Sequence, residues 1–375
     1  MSNLNVLVVD DTIVYRKIVS DVLSEIPGVK VVGSANNGKT ALHKISSLKP
    51  DLITLDIEMP EMNGLQVLEQ LREDNIDVSV IMLSTLTVEG GEMTIRALEL
   101  GAFDFIPKPQ AGRMAENKQA VTDQLKPVIE MLLRKKELRS KLRGKRRDNK
   151  FPARTGLLET QLKKESPGRV VRKPSGVIST VPKSKAEIVA IGISTGGPNA
   201  LAQMMPKLPA NINVPIVIVQ HMPPVFTQSL AKSLNAKCSI TVKEAEDGEL
   251  LKPNIAFIAP GGRQMKIVAH ADGKNRVIKI TDDPPVNSCK PSADYLFASV
   301  ASHYIGRATG VIMTGMGSDG ASGLKKMLGN GASIIAQDQE SCTVYGMPKE
   351  PVESGTAEII VPLDSIADEI VKTVK

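Results

Sequence analysis

Short apolar runs alternate with amphipathic stretches through the first hundred residues. The runs at 4–9, 29–33, 52–55, 78–83 and 103–106 are the right length for buried strands. The stretches between them, such as 13–25 and 41–48, carry apolar residues at helical spacing. Strands alternating with helices of this length predict βαβ units and a parallel sheet. A further helix is expected from about residue 116 to 142, its second half dissolving into basic residues. From Ala186 onward the same grammar returns, predicting a second α/β domain of about 190 residues. The expected organisation is 1–125 for the first domain, 126–185 for a helical extension and linker, and 186–375 for the second domain. The fold class is therefore α/β, with two doubly wound parallel-sheet domains.

A chain of 375 residues is long for a single domain, which agrees with this division. Hydrophobic content is 42%, ordinary for a globular protein, and no apolar run approaches the ~18–20 residues that span a bilayer. Aromatic residues make up only 3%, with no Trp, which argues against platforms that stack single-stranded nucleic acid. The first residues lack the basic and apolar regions of a secretory signal, so the cytoplasm is the expected location. Cys238, Cys289 and Cys342 are far apart and odd in number, suggesting neither a disulfide framework nor a zinc site. The net charge of +6 is unevenly spread. Residues 127–185 hold 18 Lys and Arg against 5 Asp and Glu, leaving 29 against 36 in the rest of the chain. With Pro152, Pro167, Pro174 and Pro182, this basic stretch reads as a flexible linker, and no interleaved aromatics turn it into a nucleic-acid site.

Candidate chemistry sits at the carboxyl ends of the predicted strands, where open α/β sheets bind ligands. In the first domain Asp10 and Asp11 follow the first strand and Asp56 ends the third. Ser84 and Thr85 follow the fourth, and Lys108 the fifth. A carboxylate cluster of this kind suits Mg²⁺, a hard cation that takes oxygen ligands. It also suits a phosphoryl group on Asp56, with Lys108 and the metal neutralising charge. Singly, each residue has a plainer reading, Asp11 as a helix cap for instance. Together, with the VDD, LDIEMP and KP stretches, the set resembles the two-component receiver domain. That resemblance implies phosphorylation of Asp56 by a histidine kinase. It implies Mg²⁺ held by Asp11, Asp56 and the Glu58 backbone carbonyl, with Asp10 nearby or acting through water. Ser84 would contact the phosphoryl oxygens and Phe105 would be the switch aromatic.

In the second domain three strand-like runs end in the members of a hydrolytic triad. The run at 188–191 leads into Gly192-Ile193-Ser194-Thr195-Gly196, which reads as G-x-S-x-G, a sharp turn that exposes a serine hydroxyl. The run at 215–219 leads to His221, one of only four histidines, and that at 310–313 leads to Asp319. A nucleophile, a base and a carboxylate that fixes the imidazole tautomer make an acyl-transfer site. Plainer readings stand beside these: Ser194 or Thr195 as cap of the following helix, and Asp319 as cap of the helix at 321–328. A nucleotide-phosphate loop is disfavoured, because G-x-G-x-x-G is not met. The order Ser, His, Asp also departs from the α/β-hydrolase order.

The segments IGISTGGPNAL, QHMPPVFTQSLAKSLN, KPSADYLFASVA, GVIMTGMGSDGASG and QDQESCTVYGMPKE resemble the chemotaxis protein-glutamate methylesterase family, CheB. With the receiver in front, the resemblance spans nearly the whole chain except the linker. It implies Ser194, His221 and Asp319 as catalytic residues and the Met316 backbone N–H as oxyanion donor. It implies hydrolysis of glutamyl γ-methyl esters on methyl-accepting chemotaxis receptors, deamidation of some receptor glutamines, and phosphorylation by a chemotaxis histidine kinase. Mg²⁺ would serve receiver phosphorylation and no cofactor the ester hydrolysis. Neither nucleic acid nor membrane insertion is expected. A phosphorylation-controlled transcription factor, a non-enzymatic adaptor and an esterase acting on small molecules are the competing readings. The first lacks a DNA module after the linker, and the second does not account for the triad.

Overall fold

The computed structural model describes residues 3–109, 114–147, 170–171 and 181–375. The chain divides into two compact units, Met1–Ser166 and Pro167–Lys375.

The first unit is a five-stranded parallel sheet of β1 (Leu4–Val9), β2 (Val29–Ala35), β3 (Leu52–Asp56), β4 (Ser79–Ser84) and β5 (Asp104–Pro107). Its order is β2-β1-β3-β4-β5, the flavodoxin-like winding. Helices α1 (Ile13–Ser24), α2 (Gly38–Leu48), α3 (Gly64–Glu73), α4 (Val88–Glu99) and α5 (Met114–Arg147) connect and flank the strands. Every residue of β3 is buried, as expected of a central parallel strand covered on both faces. A capping box of Asn63 and Gln66 starts α3. Val121, Leu125, Val128, Ile129 and Leu132 of α5 are buried at helical spacing, so the apolar stripe that docks this helix continues past residue 125.

The second unit is built on an eight-stranded sheet. Its elements in chain order are β6 (Val170–Val171), β7 (Ile188–Ile193), α6 (Gly197–Met204), β8 (Ile216–Gln220), α7 (Phe226–Asn235), β9 (Thr241–Glu244) and β10 (Ile255–Ile258). The hairpin β11 (Gln264–Ala269) and β12 (Arg276–Thr281) follows. Then come α8 (Ala293–His303), β13 (Ala308–Ile312), α9 (Ala321–Gly329), β14 (Ser333–Gln337), α10 (Lys349–Glu353), β15 (Ile359–Val361) and α11 (Leu363–Val374). The order β6-β15-β14-β13-β7-β8-β10-β9 has parallel pairing throughout except at β6, which runs antiparallel on the edge. From β7 the chain first builds outward through β8, then returns to build the other side through β13. The direction of winding therefore reverses between β7 and β13, and a crevice opens there beyond the strand ends. The core is aliphatic, with Phe226, Phe257 and Phe297 fully buried.

The strand β6 lies inside the stretch expected to be linker. Its two valines cover the open edge of β15, Val171 opposite Ile359, which removes unpaired backbone groups from that edge. The rest of the basic stretch between 148 and 180 lies outside the described residues.

Candidate active site

Parallel pairing sets the geometry of the second unit's crevice. β7 and β8 pair with Ile193 opposite Gln220, so Ser194 and His221 follow in step on neighbouring strands, about 5 Å apart. The His221 N–H donates to the Ile193 carbonyl at 3.1 Å. On the other side the Ser194 N–H donates to the Thr314 carbonyl at 3.0 Å, tying the serine to the segment after β13. Gly196, at φ 75°, takes the left-handed turn that starts α6 and makes no side-chain cap. Neither Ser194 nor Thr195 therefore caps this helix. Gly192 is needed for close packing: a Cβ there would lie 2.9 Å from Ala293 Cβ. Its absence lets the N-terminus of α8 lie against β7.

Asp319 is the most heavily bonded side chain of the crevice. Its Oδ2 meets His221 Nε2 at 2.8 Å and accepts from the Ala293 N–H at 2.6 Å. Its Oδ1 accepts from Ser292 Oγ at 2.8 Å, from Asn287 Nδ2 at 3.0 Å and from the Asp294 N–H at 3.3 Å. The carboxylate thus sits on the N-terminus of α8, where free N–H groups favour negative charge. The cap of α9 is Gly320, and Asp319 serves a different helix from the one next to it in sequence. Burial alone would raise the Asp319 pKa, but the hydrogen bond and charge of His221, with Asn287 and Ser292, hold it below the usual carboxylate value. Burial would likewise lower His221. Hydrogen bonding to Asp319 and then to Cys289 outweighs it and lifts the imidazole to about 9.

The structure joins two of the three triad residues directly. His221 and Asp319 are bonded, whereas the Ser194 hydroxyl makes no hydrogen bond among the described residues. With Nε2 engaged by Asp319, the remaining nitrogen of His221 is Nδ1, and it lies 3.8 Å from Cys289 Sγ. Met316 follows Gly315 in the loop after β13, and its N–H has no protein acceptor among the described residues. That loop is pressed from behind by Gly346, where a Cβ would come within 2.5 Å of the Gly315 carbonyl.

Asn287 and Ser292 were not singled out by the sequence reading, and Cys289 was read only as one of three scattered cysteines that suggest neither a disulfide nor a zinc site. Asn287-Ser288 is a legible turn signal and Ser292 a legible cap. Nothing in their spacing says that they would converge on His221 and Asp319.

In the first unit the strand ends bring together Asp10, Asp11 and Asp56, whose ligand oxygens lie within 4.8 Å of one another. Lys108 Nζ reaches Asp10 at 2.7 Å and Asp56 at 2.6 Å. Three carboxylates facing one ammonium leave an excess of negative charge, which fits a divalent cation. Asp56 is raised to about 6, first by burial and then by Asp10, against the opposing pull of Lys108. Lys108 loses by burial but gains more from Asp56 and Asp10, and is raised. Asp11 is exposed and does not cap α1, whose N-cap is Thr12, without a side-chain cap bond. Ser84 is fully buried and meets Thr94 Oγ1 at 2.6 Å, beneath α4. Phe105 lies on β5, half-buried. Tyr15 is a neighbour that the sequence did not flag. Its ring lies 5.0 Å from Lys108 Nζ and its hydroxyl donates to the Pro109 carbonyl.

Comparison with known proteins agrees with both units. The response regulator receiver domain family matches residues 6–119, and the CheB methylesterase family matches residues 189–370. A Desulfotalea psychrophila protein named protein-glutamate methylesterase/protein-glutamine glutaminase is 56% identical over 375 residues, covering 100% of both chains. The chain belongs to the CheB methylesterase family. A Bacillus subtilis protein of the same name is 44% identical over 373 residues, covering 99% of each chain. The solved catalytic domain of Thermotoga maritima CheB methylesterase is 41% identical, covers 50% of this chain and 99% of its own, and gives a TM-score of 0.49. As a member of this family the chain is a hydrolase, with a response-regulator receiver ahead of its methylesterase domain. No helix among the described residues is long and apolar enough to cross a membrane.

Proposed function

We propose that the chain hydrolyses glutamyl γ-methyl esters on methyl-accepting chemotaxis receptors through Ser194, His221 and Asp319. Ser194 Oγ attacks the ester carbonyl while His221 Nδ1 takes its proton. Asp319, on Nε2, fixes the imidazole tautomer and stabilises the imidazolium. The Met316 N–H faces the oxyanion of the tetrahedral intermediate. The bond to methoxide breaks, His221 returns the proton, and methanol leaves a γ-glutamyl ester on Ser194. Water, deprotonated by His221, then attacks that ester, giving the receptor carboxylate and free Ser194. With a glutamine substrate the same steps expel ammonia, which is the deamidase reaction. The observation that carries this reading is the bonded His221–Asp319 pair beside Ser194 on the adjoining strand.

The receiver accepts a phosphoryl group on Asp56 from a chemotaxis histidine kinase. Asp11, Asp56 and the Glu58 backbone carbonyl would hold Mg²⁺, with Asp10 nearby or acting through water, and the bound ion would neutralise charge on the phosphoryl oxygens. Lys108 supplies a second positive charge there, Ser84 engages the phosphoryl group, and Phe105 reports its arrival. The protein works in the cytoplasm and needs no cofactor for ester hydrolysis. Methanol release from methylated receptor membranes, with and without a small phosphodonor, tests the whole reading. Release that depends on Ser194 and rises with the phosphodonor is expected. Release unaffected by Ser194→Ala would overturn the catalytic assignment.

A further inference from the structure

Cys289 and His221 are 68 residues apart, yet their Sγ and Nδ1 atoms lie 3.8 Å from each other. The contact is built into the local backbone. Val286 and Cys289 close a two-residue turn with reciprocal backbone hydrogen bonds of 3.1 and 2.8 Å. Both central residues take left-handed conformations, Asn287 at φ 51° and Ser288 at φ 61°, as a type I′ turn requires. The turn is fastened to its surroundings at two points. Asn287 Nδ2 donates to Asp319 Oδ1, and Gln264 Nε2 donates to the Cys289 carbonyl at 3.2 Å. The backbone of the turn and these two bonds thus hold the thiol beside the imidazole.

A soft metal ion finds its usual surroundings here. Tetrahedral zinc, with bonds of about 2.3 Å to sulfur and about 2.0–2.1 Å to imidazole nitrogen, sets those two atoms about 3.6 Å apart. The observed separation is close to that value. A metal-bound histidine almost always donates its other ring N–H to a carboxylate, a backbone carbonyl or water, which fixes the tautomer. His221 Nε2 already meets Asp319 Oδ2, and Asp319 is itself held by Ser292, Asn287 and two backbone N–H groups. The ligand atoms of His221, Cys289 and Asp319 fall within 4.8 Å of one another. The His221 side chain is 14% exposed and Cys289 is half-buried, so solvent can complete the coordination.

We propose that Cys289 Sγ and His221 Nδ1 form a binding site for a thiophilic divalent cation such as Zn²⁺, which inhibits the hydrolase by occupying the nitrogen that receives the serine proton. Binding converts the Cys289 thiol to thiolate and the His221 imidazolium to neutral imidazole, releasing both protons to solvent, so that Nδ1 can give its lone pair to the metal. The binding half stands on geometry alone. The inhibitory half rests on His221 Nδ1 being the base.

Competition for Zn²⁺ between the full-length protein and a chromophoric chelator, in excess Mg²⁺ to fill the receiver, separates the two halves. One zinc per chain is expected in the unmodified protein and in Ser194→Ala and Cys342→Ala. In Cys289→Ala the affinity should fall by more than the roughly 10–100-fold that loss of an outer-shell partner costs. Equal binding by Cys289→Ala and the unmodified protein, or no binding by either, would overturn the site. Protection of Cys289 from alkylation by Zn²⁺, mapped by mass spectrometry on the unmodified chain, gives the same answer without a variant. Unprotected Cys289 would equally reject it. Inhibition of ester hydrolysis should show the same loss of Zn²⁺ sensitivity in Cys289→Ala. Binding at Cys289 without inhibition would leave the metal site standing and reject Nδ1 as the base.

Discussion

The three catalytic candidates respond differently to substitution because their surroundings differ. Ser194→Ala removes a hydroxyl that bonds to no protein group among the described residues. The fold should survive, while ester turnover falls by about 10⁶-fold, the usual cost of losing a triad nucleophile. Near-normal methanol release would exclude Ser194 as nucleophile. Asp319→Asn is a harsher change. The carboxylate accepts from four protein donors besides His221, and an amide must turn its NH₂ toward some of them. Up to about 10⁴-fold loss of turnover is expected from the wrong imidazole tautomer. A drop in unfolding free energy of about 1–3 kcal/mol is also expected from unpaired buried donors. A retained rate with lowered stability would make Asp319 only a cap of α8.

With His221 as the proposed base, activity should depend on pH. Its neighbours Asp319 and Cys289 lift the imidazole to about 9 against the opposing effect of burial, and Asp294, itself raised by burial, adds a further carboxylate beside Asp319. Imidazolium cannot take the serine proton, so kcat/KM should climb as pH rises toward about 9 and level off beyond it. A profile already flat between pH 6 and 8 would contradict this. The stability contribution has the opposite trend. The folded value exceeds the unfolded 6.5, so the His221 contribution is fully present below pH 6.5 and disappears as pH rises through about 9. Asp319 is held below 3.8, and its contribution is present above that pH and lost as pH falls through the folded value.

At the scale of elements, the site depends on loops whose backbones approach too closely for side chains. The segment after β13 carries Gly315 and Met316, and Gly346 packs directly behind it. Gly346→Ala would bring a methyl group within 2.5 Å of the Gly315 carbonyl and 3.0 Å of the Gly317 nitrogen. The loop must shift, and the Met316 N–H with it. Loss of one oxyanion donor typically costs about 10²–10³ in kcat, so a loss of that order is expected with KM little changed. A rise in KM alone would show that the loop binds substrate without stabilising the oxyanion.

Strand ends were the legible part of these elements. Runs such as 188–191 and 52–55 predict buried parallel strands, and a parallel strand in an open sheet delivers its last residues to one rim. That rule suffices to bring Ser194 near His221 and Asp10 near Asp56. It is silent on side elements that fold back onto the rim. The cap of α8 on Asp319, the I′ turn that carries Cys289 and the two-residue strand β6 all arise from long-range closure. None has a periodic signal. The isolation of Cys289 in sequence suggested no zinc site, and a ligand set assembled by closure, as proposed for Cys289 and His221, would leave no spacing to read.

For the whole molecule, the question is whether a charge event in one unit changes chemistry in the other. The receiver stores the means in its own carboxylate cluster, where Asp10 and Asp56 share the ammonium of Lys108 at 2.7 and 2.6 Å. A phosphoryl group on Asp56 adds negative charge and strong acceptor oxygens at that point. Lys108 must then divide its bonds differently, and Ser84, now bonded to Thr94 beneath α4, gains a competing partner. A regulator alters an equilibrium only by interacting unequally with its states, so these rearranged bonds are the free energy available for control. Asp56→Asn should take no label from a phosphorylated kinase and should leave methanol release insensitive to a phosphodonor. Its unstimulated rate should equal that of the unmodified protein, because Asp56 belongs to the receiver and is not one of the hydrolytic residues. Labelling at full stoichiometry would reject Asp56 as the acceptor. Persistent stimulation without labelling would mean that the phosphodonor acts elsewhere, and the receiver would then not be the source of control.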